Sequence, residues 1–276
     1  MHAKTRDAVF AIGFAGVSGG VATRLIALGY RPISVNDPQA AAARLGREPA
    51  PVRAALVPAD APFLTPGSLF RLVRAAGPNS LRCVALGRRE DEAHAERLRL
   101  AGVSTTLWDP YTDRELRFAV NRALHDEATG QSRLQPRTAT DLVARIRLGA
   151  REKAGLVYSL SALGCFVETE RPCVPESHVS VNVPLPSGAI ELAARVMWVN
   201  VPGDFSRSNL PRGMALSFLD ARAEQRAALA AFVSEQLAQQ GIAARGDAAV
   251  ESSGMTRVWS RLRGLIASPR ERSANA

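Results

Sequence analysis

The sequence predicts two domains: an α/β doubly wound five-stranded parallel sheet, then an antiparallel β domain with a C-terminal helix. Three observations lead there. Over the first 125 residues, short apolar runs alternate with segments whose apolar residues recur at helical spacing. After residue 138 the period changes to strict alternation. Between them lies a polar stretch, residues 126–138, in which Gly130 and Pro136 interrupt any helix. A chain of 276 residues is long enough for two ordinary cores.

The elements of the first half come in order. Residues 8–14 form an apolar run of the kind that is buried on both faces of a parallel sheet. Val21, Leu25, Ile26 and Leu28 then fall at helical spacing within 19–29. Strands are expected at 33–35, 54–57, 82–86 and 104–108. Helices are expected at 38–46, 66–76, 90–101 and 112–125, the second of these opened by Thr65-Pro66. Five strands alternating with five helices imply a parallel sheet covered on both faces.

In the second half, six strand candidates cover 141–148, 153–160, 163–170, 178–185, 188–201 and 213–219. Val179, Val181, Val183 and Leu185 alternate with Ser180, Asn182 and Pro184. Ile190, Leu192, Ala194, Val196 and Trp198 alternate against Glu191 and Arg195. No helix separates these runs, so the sheet is antiparallel or a small closed barrel. A helix over 221–239 carries Leu229, Phe232, Val233 and Leu237 on one face. The expected domains are 1–125, a linker at 126–138, 139–239, and a flexible tail at 240–276. In that tail, Met255, Val258, Trp259, Leu262, Leu265 and Ile266 make a basic amphipathic helix over 255–266. It would meet an acidic partner, a membrane surface or the chain's own domains.

Composition excludes several classes. The net charge is +9, dispersed over both halves and the tail. A nucleic-acid binder would gather its basic residues on one face or helix, so no nucleic acid is expected. The basic residues are nearly all arginine, Lys4 and Lys153 being the only lysines. Cys83, Cys165 and Cys173 lack paired spacing and read as buried small residues, not as a disulfide framework. His2, His94, His125 and His178 form no metal-ligand spacing with them, so no metal is expected. No apolar stretch approaches the ~20 residues of a spanning helix. Residues 8–17 mimic a signal peptide but run straight into a helical pattern, so a cytoplasmic protein is expected. No nucleophile–base pair or paired acids stand out, so no enzyme is expected.

The first half resembles two families. Gly13, Gly16, Gly19 and Gly20 lie between strand and helix, where dinucleotide-binding proteins place phosphate-binding glycines. Counted from Gly16, however, the second and third required glycines fall on Ser18 and Val21. The whole first half also resembles the response-regulator receiver. Asp109-Pro110-Tyr111 stands where receivers carry Lys-Pro-aromatic, and Pro62, Gly67 and Leu69 lead into a helix bearing Arg71 and Arg74. The acids that hold magnesium in that family are missing after the first strand, which ends Gly13-Phe14-Ala15. The third strand ends Val57-Pro58-Ala59, with Asp60 one or two residues late. The resemblance thus implies a pseudo-receiver without phosphotransfer, working as a protein-binding surface and dimerising through its last helix.

The second half resembles PilZ domains from about 133 to 239. Arg133-Leu-Gln-Pro-Arg137 stands where the family has two arginines four apart. Ser159-Leu-Ser161-Ala-Leu-Gly164 stands where it has Asp or Asn, x, Ser, x, x, Gly. Pro186-Ser-Gly188, the strand from Ala194 to Trp198 and the run from Gly213 to Phe218 match its later turn and strands. The resemblance implies a six-stranded barrel and a cyclic di-GMP effector of motility or surface attachment, with output through protein contacts. Its ligand site would comprise Arg133, Arg137, Ser159, Ser161 and Gly164. Arginine suits this ligand because its planar fork matches phosphate oxygens and guanine O6/N7 alike. Ser159 departs from the family pattern: a serine hydroxyl is short, neutral and cannot satisfy two guanine donors at once. The alternative is therefore a degenerate PilZ adaptor that binds proteins and no nucleotide.

The missing acids and the aspartate at position 109 yield a first test. Incubation with acetyl phosphate or beryllofluoride and magnesium should leave the first half unmodified; a specific adduct on Asp60 would overturn this reading.

Overall fold

Three-dimensional organisation was taken from a computed structural model, which describes residues 6–14, 20–76, 81–125, 136–201 and 209–239. Strands β1 (Ala8–Ile12), β2 (Arg31–Val35), β3 (Ala54–Pro58), β4 (Arg82–Gly87) and β5 (Thr105–Trp108) alternate with helices α1 (Gly20–Ala27), α2 (Pro38–Leu45), α3 (Phe70–Ala75), α4 (Glu92–Ala101) and α5 (Asp113–His125). The strands are parallel in the order β2-β1-β3-β4-β5. That order separates the two candidate families. A dinucleotide-binding sheet runs 3-2-1-4-5-6, whereas 2-1-3-4-5 is the receiver and flavodoxin order. β1 and β3 are buried at every position, as a sheet covered on both faces requires. One face packs on α2, α3 and α4 through Ala41, Leu69, Leu72 and Leu98. The other packs on α1 and α5 through Leu25, Leu116, Val120 and Leu124.

One helix start differs from expectation. Residues 66–69 are turn, and α3 begins only at Phe70. Gly67 has φ +76° and the Ser68 N–H donates to the Thr65 carbonyl. Proline then glycine with positive φ is a type II turn, and proline opens such turns as readily as it opens helices.

The second half is a closed barrel. β7 (Val143–Leu148), β8 (Arg151–Ser161), β9 (Gly164–Glu168), β10 (His178–Leu185), β11 (Gly188–Asn200) and β12 (Gly213–Leu219) pair antiparallel in the order β8-β7-β10-β11-β12-β9, and β9 returns to β8. The expected linker ends in a two-residue strand, β6 (Thr138–Ala139), which adds to β8. Helix α6 (Ala223–Gln239) contributes Leu229, Val233 and Leu237 to the barrel core. No helix among the described residues is long and apolar enough to cross a membrane. The tail helix expected at 255–266 lies outside the described residues.

Two bulges change the expected alternation. Against β12 the register shifts between Val196 and Trp198, so Trp198 leaves the inward set of Leu192, Ala194 and Val196. Against β9 a shift between Val157 and Ser159 turns Ser159 outward and Leu160 into the core, while Tyr158 faces outward by plain alternation with Val157. An extra residue on one strand reverses the facing of the residues after it. The Trp198 ring thereby reaches the outer wall, where it joins Tyr158, Phe166 and Ala215.

That outer wall receives α5. The stripe of α5 that holds Leu116, Val120 and Leu124 faces its own sheet, while Phe118 lies in the wall cluster. The rings of Phe118 and Tyr158 are 6.1 Å apart, those of Tyr158 and Phe166 5.9 Å, and those of Phe166 and Trp198 5.3 Å. Beside this stack, Tyr30 Oη donates to Asn121 Oδ1 at 2.8 Å, and Asn121 Nδ2 donates to the Asn209 carbonyl at 3.1 Å. Asn209 Nδ2 donates to Asp7 Oδ2 at 2.6 Å. Arg114 pairs with Asp141 and lies 3.6 Å from Glu168. The expectation that the last helix dimerises is corrected here: its outward side packs on the chain's own barrel.

Closure of so small a barrel brings backbones close at glycine. A Cβ on Gly213 would stand 2.1 Å from the Val167 carbonyl oxygen. Gly213→Ala should therefore lower the unfolding free energy by about 1–3 kcal/mol, the range for overpacking a filled interior. A urea titration reads this as a lower midpoint; an unchanged midpoint would mean that β12 shifts away from β9 without cost.

Candidate functional site

The expected ligand residues collect where β6, β8 and β9 meet. β6 pairs Thr138 with Leu160 and Ala139 with Ser159. One step further along that register places Arg137 opposite Ser161. Ser161 in turn pairs with Gly164 across the two-residue hairpin of Ala162 and Leu163. Arg137, Ser161 and Gly164 thus share one row, and Ser159 stands two rows along on the same outer wall. Arg133 lies outside the described residues.

Each of these residues also has a local structural duty. Ser161 Oγ donates to the Gly164 carbonyl at 2.9 Å, bracing the hairpin. Gly164 is required by close approach, because a Cβ there would stand 2.3 Å from the Leu216 carbonyl oxygen. Arg137 is half-buried before β6. Burial pushes the Cys165 thiol up to about 12, and the nearby positive charge of Arg137 works against that push. The guanidinium is thus within electrostatic reach of the strand that begins at Gly164.

Ser159 is 5% exposed, set between Ala139 on β6 and Phe166 on β9. Its row runs Ala139, Ser159, Phe166, Ala215, Trp198 across the wall. The second half of that row is the aromatic cluster on which Phe118 of α5 rests. The candidate site and the seam between the domains therefore share a strand row. Sequence reasoning did not reveal this continuity, since the bulge that turns Trp198 outward has no local signature.

The corresponding end of the first sheet, where receivers do their chemistry, is filled with side chains. Beyond β1, Gly13 adopts φ +78°, and a Cβ there would stand 2.7 Å from the Phe63 ring. Beyond β3, the Ala59 carbonyl lies 3.0 Å from His94 Nε2. His94 is buried, with its ring 5.8 Å from that of Trp108 at the end of β5. Asp60 is exposed, past the end of the strand. Among the described residues no three His, Cys, Asp or Glu side chains are grouped to hold a metal ion.

The PilZ domain family matches residues 131–235. No curated protein matches the chain. Among solved structures, the Bacillus subtilis inhibitor of motility (MotI/DgrA) is similar at 23% identity over 40% of this chain and 53% of its own, with a TM-score of 0.34. The chain thus spans about half the length of that protein. The receiver domain of the Pseudomonas aeruginosa sensor histidine kinase PA1611 is similar at 22% identity over 44% of this chain and 98% of its own, with a TM-score of 0.36. The PilZ domain of Escherichia coli YcgR, solved with c-di-GMP, is similar at 15% identity over 40% of this chain and 94% of its own, with a TM-score of 0.33. The matched span takes in the closed six-stranded barrel, the strand entered from Arg137 and most of α6, so the PilZ family match falls on the barrel that follows the receiver-like α/β sheet.

Proposed function

We propose that the chain is a non-catalytic cyclic di-GMP effector in bacterial signalling, of the kind that regulates motility or surface attachment, with its output through protein contacts. The observation that carries this reading is the family match over a span holding Arg133, Arg137 and the Ser159–Gly164 segment, with Arg137 entering β6 beside Ser161. The ligand's phosphates and guanine edges would be taken by Arg133 and Arg137, whose forks suit both. Ser159, Ser161 and Gly164 would bring the β8–β9 hairpin against the bases. The partner would be a protein reached through the receiver-like domain or the tail.

One observation favours the alternative, a PilZ adaptor that binds proteins alone. Ser159 is short, neutral and almost fully buried where the family presents an acid or amide. Replacing a charge-assisted pair by a hydroxyl costs about 1.5–3 kcal/mol.

Calorimetry with cyclic di-GMP decides between them. The parent protein should bind weakly, and binding should weaken further with salt because the phosphates are recognised by charge. Ser159→Asp should tighten it by roughly ten-fold if the new carboxylate reaches two guanine donors. Arg133→Ala and Arg137→Ala should each cost about 1–3 kcal/mol, as for a lost bidentate contact. No heat from either the parent or Ser159→Asp would leave the protein-only adaptor. Tight binding indifferent to both arginines would move the site elsewhere.

A further inference from the structure

On the barrel, away from the Ser159–Gly164 segment, an amine and a thiol are in contact. Lys153 lies on β8, and Cys173 lies in the connection between β9 and β10. Lys153 Nζ is 3.0 Å from Cys173 Sγ and also donates to the Arg171 carbonyl, so the amine is held from two sides. The Cys173 backbone N–H donates to Met214 Sδ at 3.3 Å, which fixes the cysteine in turn. We propose that this pair is an oxidative modification site, at which a hydroperoxide links Cys173 to Lys153 through a sulfenamide bond.

Two independent features set this pair apart. The first is the choice of lysine. The chain has only two lysines among 35 basic residues, at positions 4 and 153. A guanidinium stays protonated and has no electron pair to give, whereas an amine can lose its proton and attack an electrophile. Where the chain touches a thiol it carries the one basic side chain able to bond to it. The second is contrast with the other cysteines. Cys83 and Cys165 are 0% exposed, and burial pushes both thiols up to about 12, which withholds the reactive thiolate. Cys173 is 7% exposed and touches an N–H donor.

The chemistry balances in two steps. The Cys173 sulfur attacks one oxygen of hydrogen peroxide, the O–O bond breaks, and the thiol proton leaves with the second oxygen as water. Sulfur is oxidised by two electrons to sulfenic acid and the peroxide is reduced. Lys153 then gives its proton to solvent, and its free amine attacks the sulfur. The S–O bond breaks, an S–N bond forms, and hydroxide takes a proton from the new nitrogen to leave as a second water. The net change in the protein is the loss of two hydrogens. A thiol reductant reverses it. The link would staple the 169–177 connection to β8, the strand that carries Ser159 and Ser161.

The full chain treated with hydrogen peroxide and weighed intact tests this. We expect a mass lower by two hydrogens that returns to the starting value with dithiothreitol. After trypsin, residues 152–195 should appear as one peptide with Lys153 uncleaved. Lys153→Arg keeps the charge and removes the nucleophile, so it should instead gain oxygen at Cys173. Cys173→Ser should show neither change. Oxygen added at Cys173 in the parent with Lys153 still cleavable, or identical products from the parent and Lys153→Arg, would overturn the proposal.

Discussion

The second half of this protein depends on the pairing of one strand. β8 is long enough to have three partners: β7 along its first half, β9 along its second, and β6 taking over the edge that β7 leaves. The β9 pairing closes the barrel, so no strand edge is left open between them. The β6 pairing ties down the chain that arrives from the first domain. The bulge at Tyr158 lies between these duties and decides which side chains face outward beyond it. Placement of Ser159 and Ser161 on the outer wall depends on that one extra residue.

The first domain is a receiver-like sheet in which ring side chains crowd the ends of β1, β3 and β5. Phe63 lies over Gly13, and His94 and Trp108 sit where the ends of β3 and β5 would open a cleft. The fold still supplies a rigid platform for α5. That helix is apolar on two sides, one for its own sheet and one for the barrel wall. A helix used in this way is a structural joint between the sheet and the barrel.

Much of this was legible in the sequence, because periodicity reports burial directly. The change of period near residue 138 separates the parallel α/β pattern from the antiparallel one, and the strands of both sheets lie close to where alternation or apolar runs placed them. The features that stayed hidden had physical reasons. β6 has two residues, too few to show a period. Each bulge is defined by its partner's register, which no single strand reveals. Pro66 precedes a glycine that turns the chain before the helix begins, and proline alone does not distinguish the two. For the candidate site, the residue types were taken from the family resemblance. The burial of Ser159 was not, because it is imposed by Ala139 and Phe166 from two other strands.

The hydrogen-bond chain from Tyr30 to Asp7 has a consequence for the order in which the protein is made. Its links join residues 91, 88 and 202 positions apart, with Asn209 inserted between Asn121 and Asp7. A ribosome delivers all of the first domain before it delivers residue 209. The nascent domain must therefore wait, with Asp7 and the Asn121 amide served by water, until the last loop before β12 emerges. The hydrogen bonds of the seam cannot close before residue 209 emerges, so the chain's first described residues reach their finished surroundings only once most of the chain has been made.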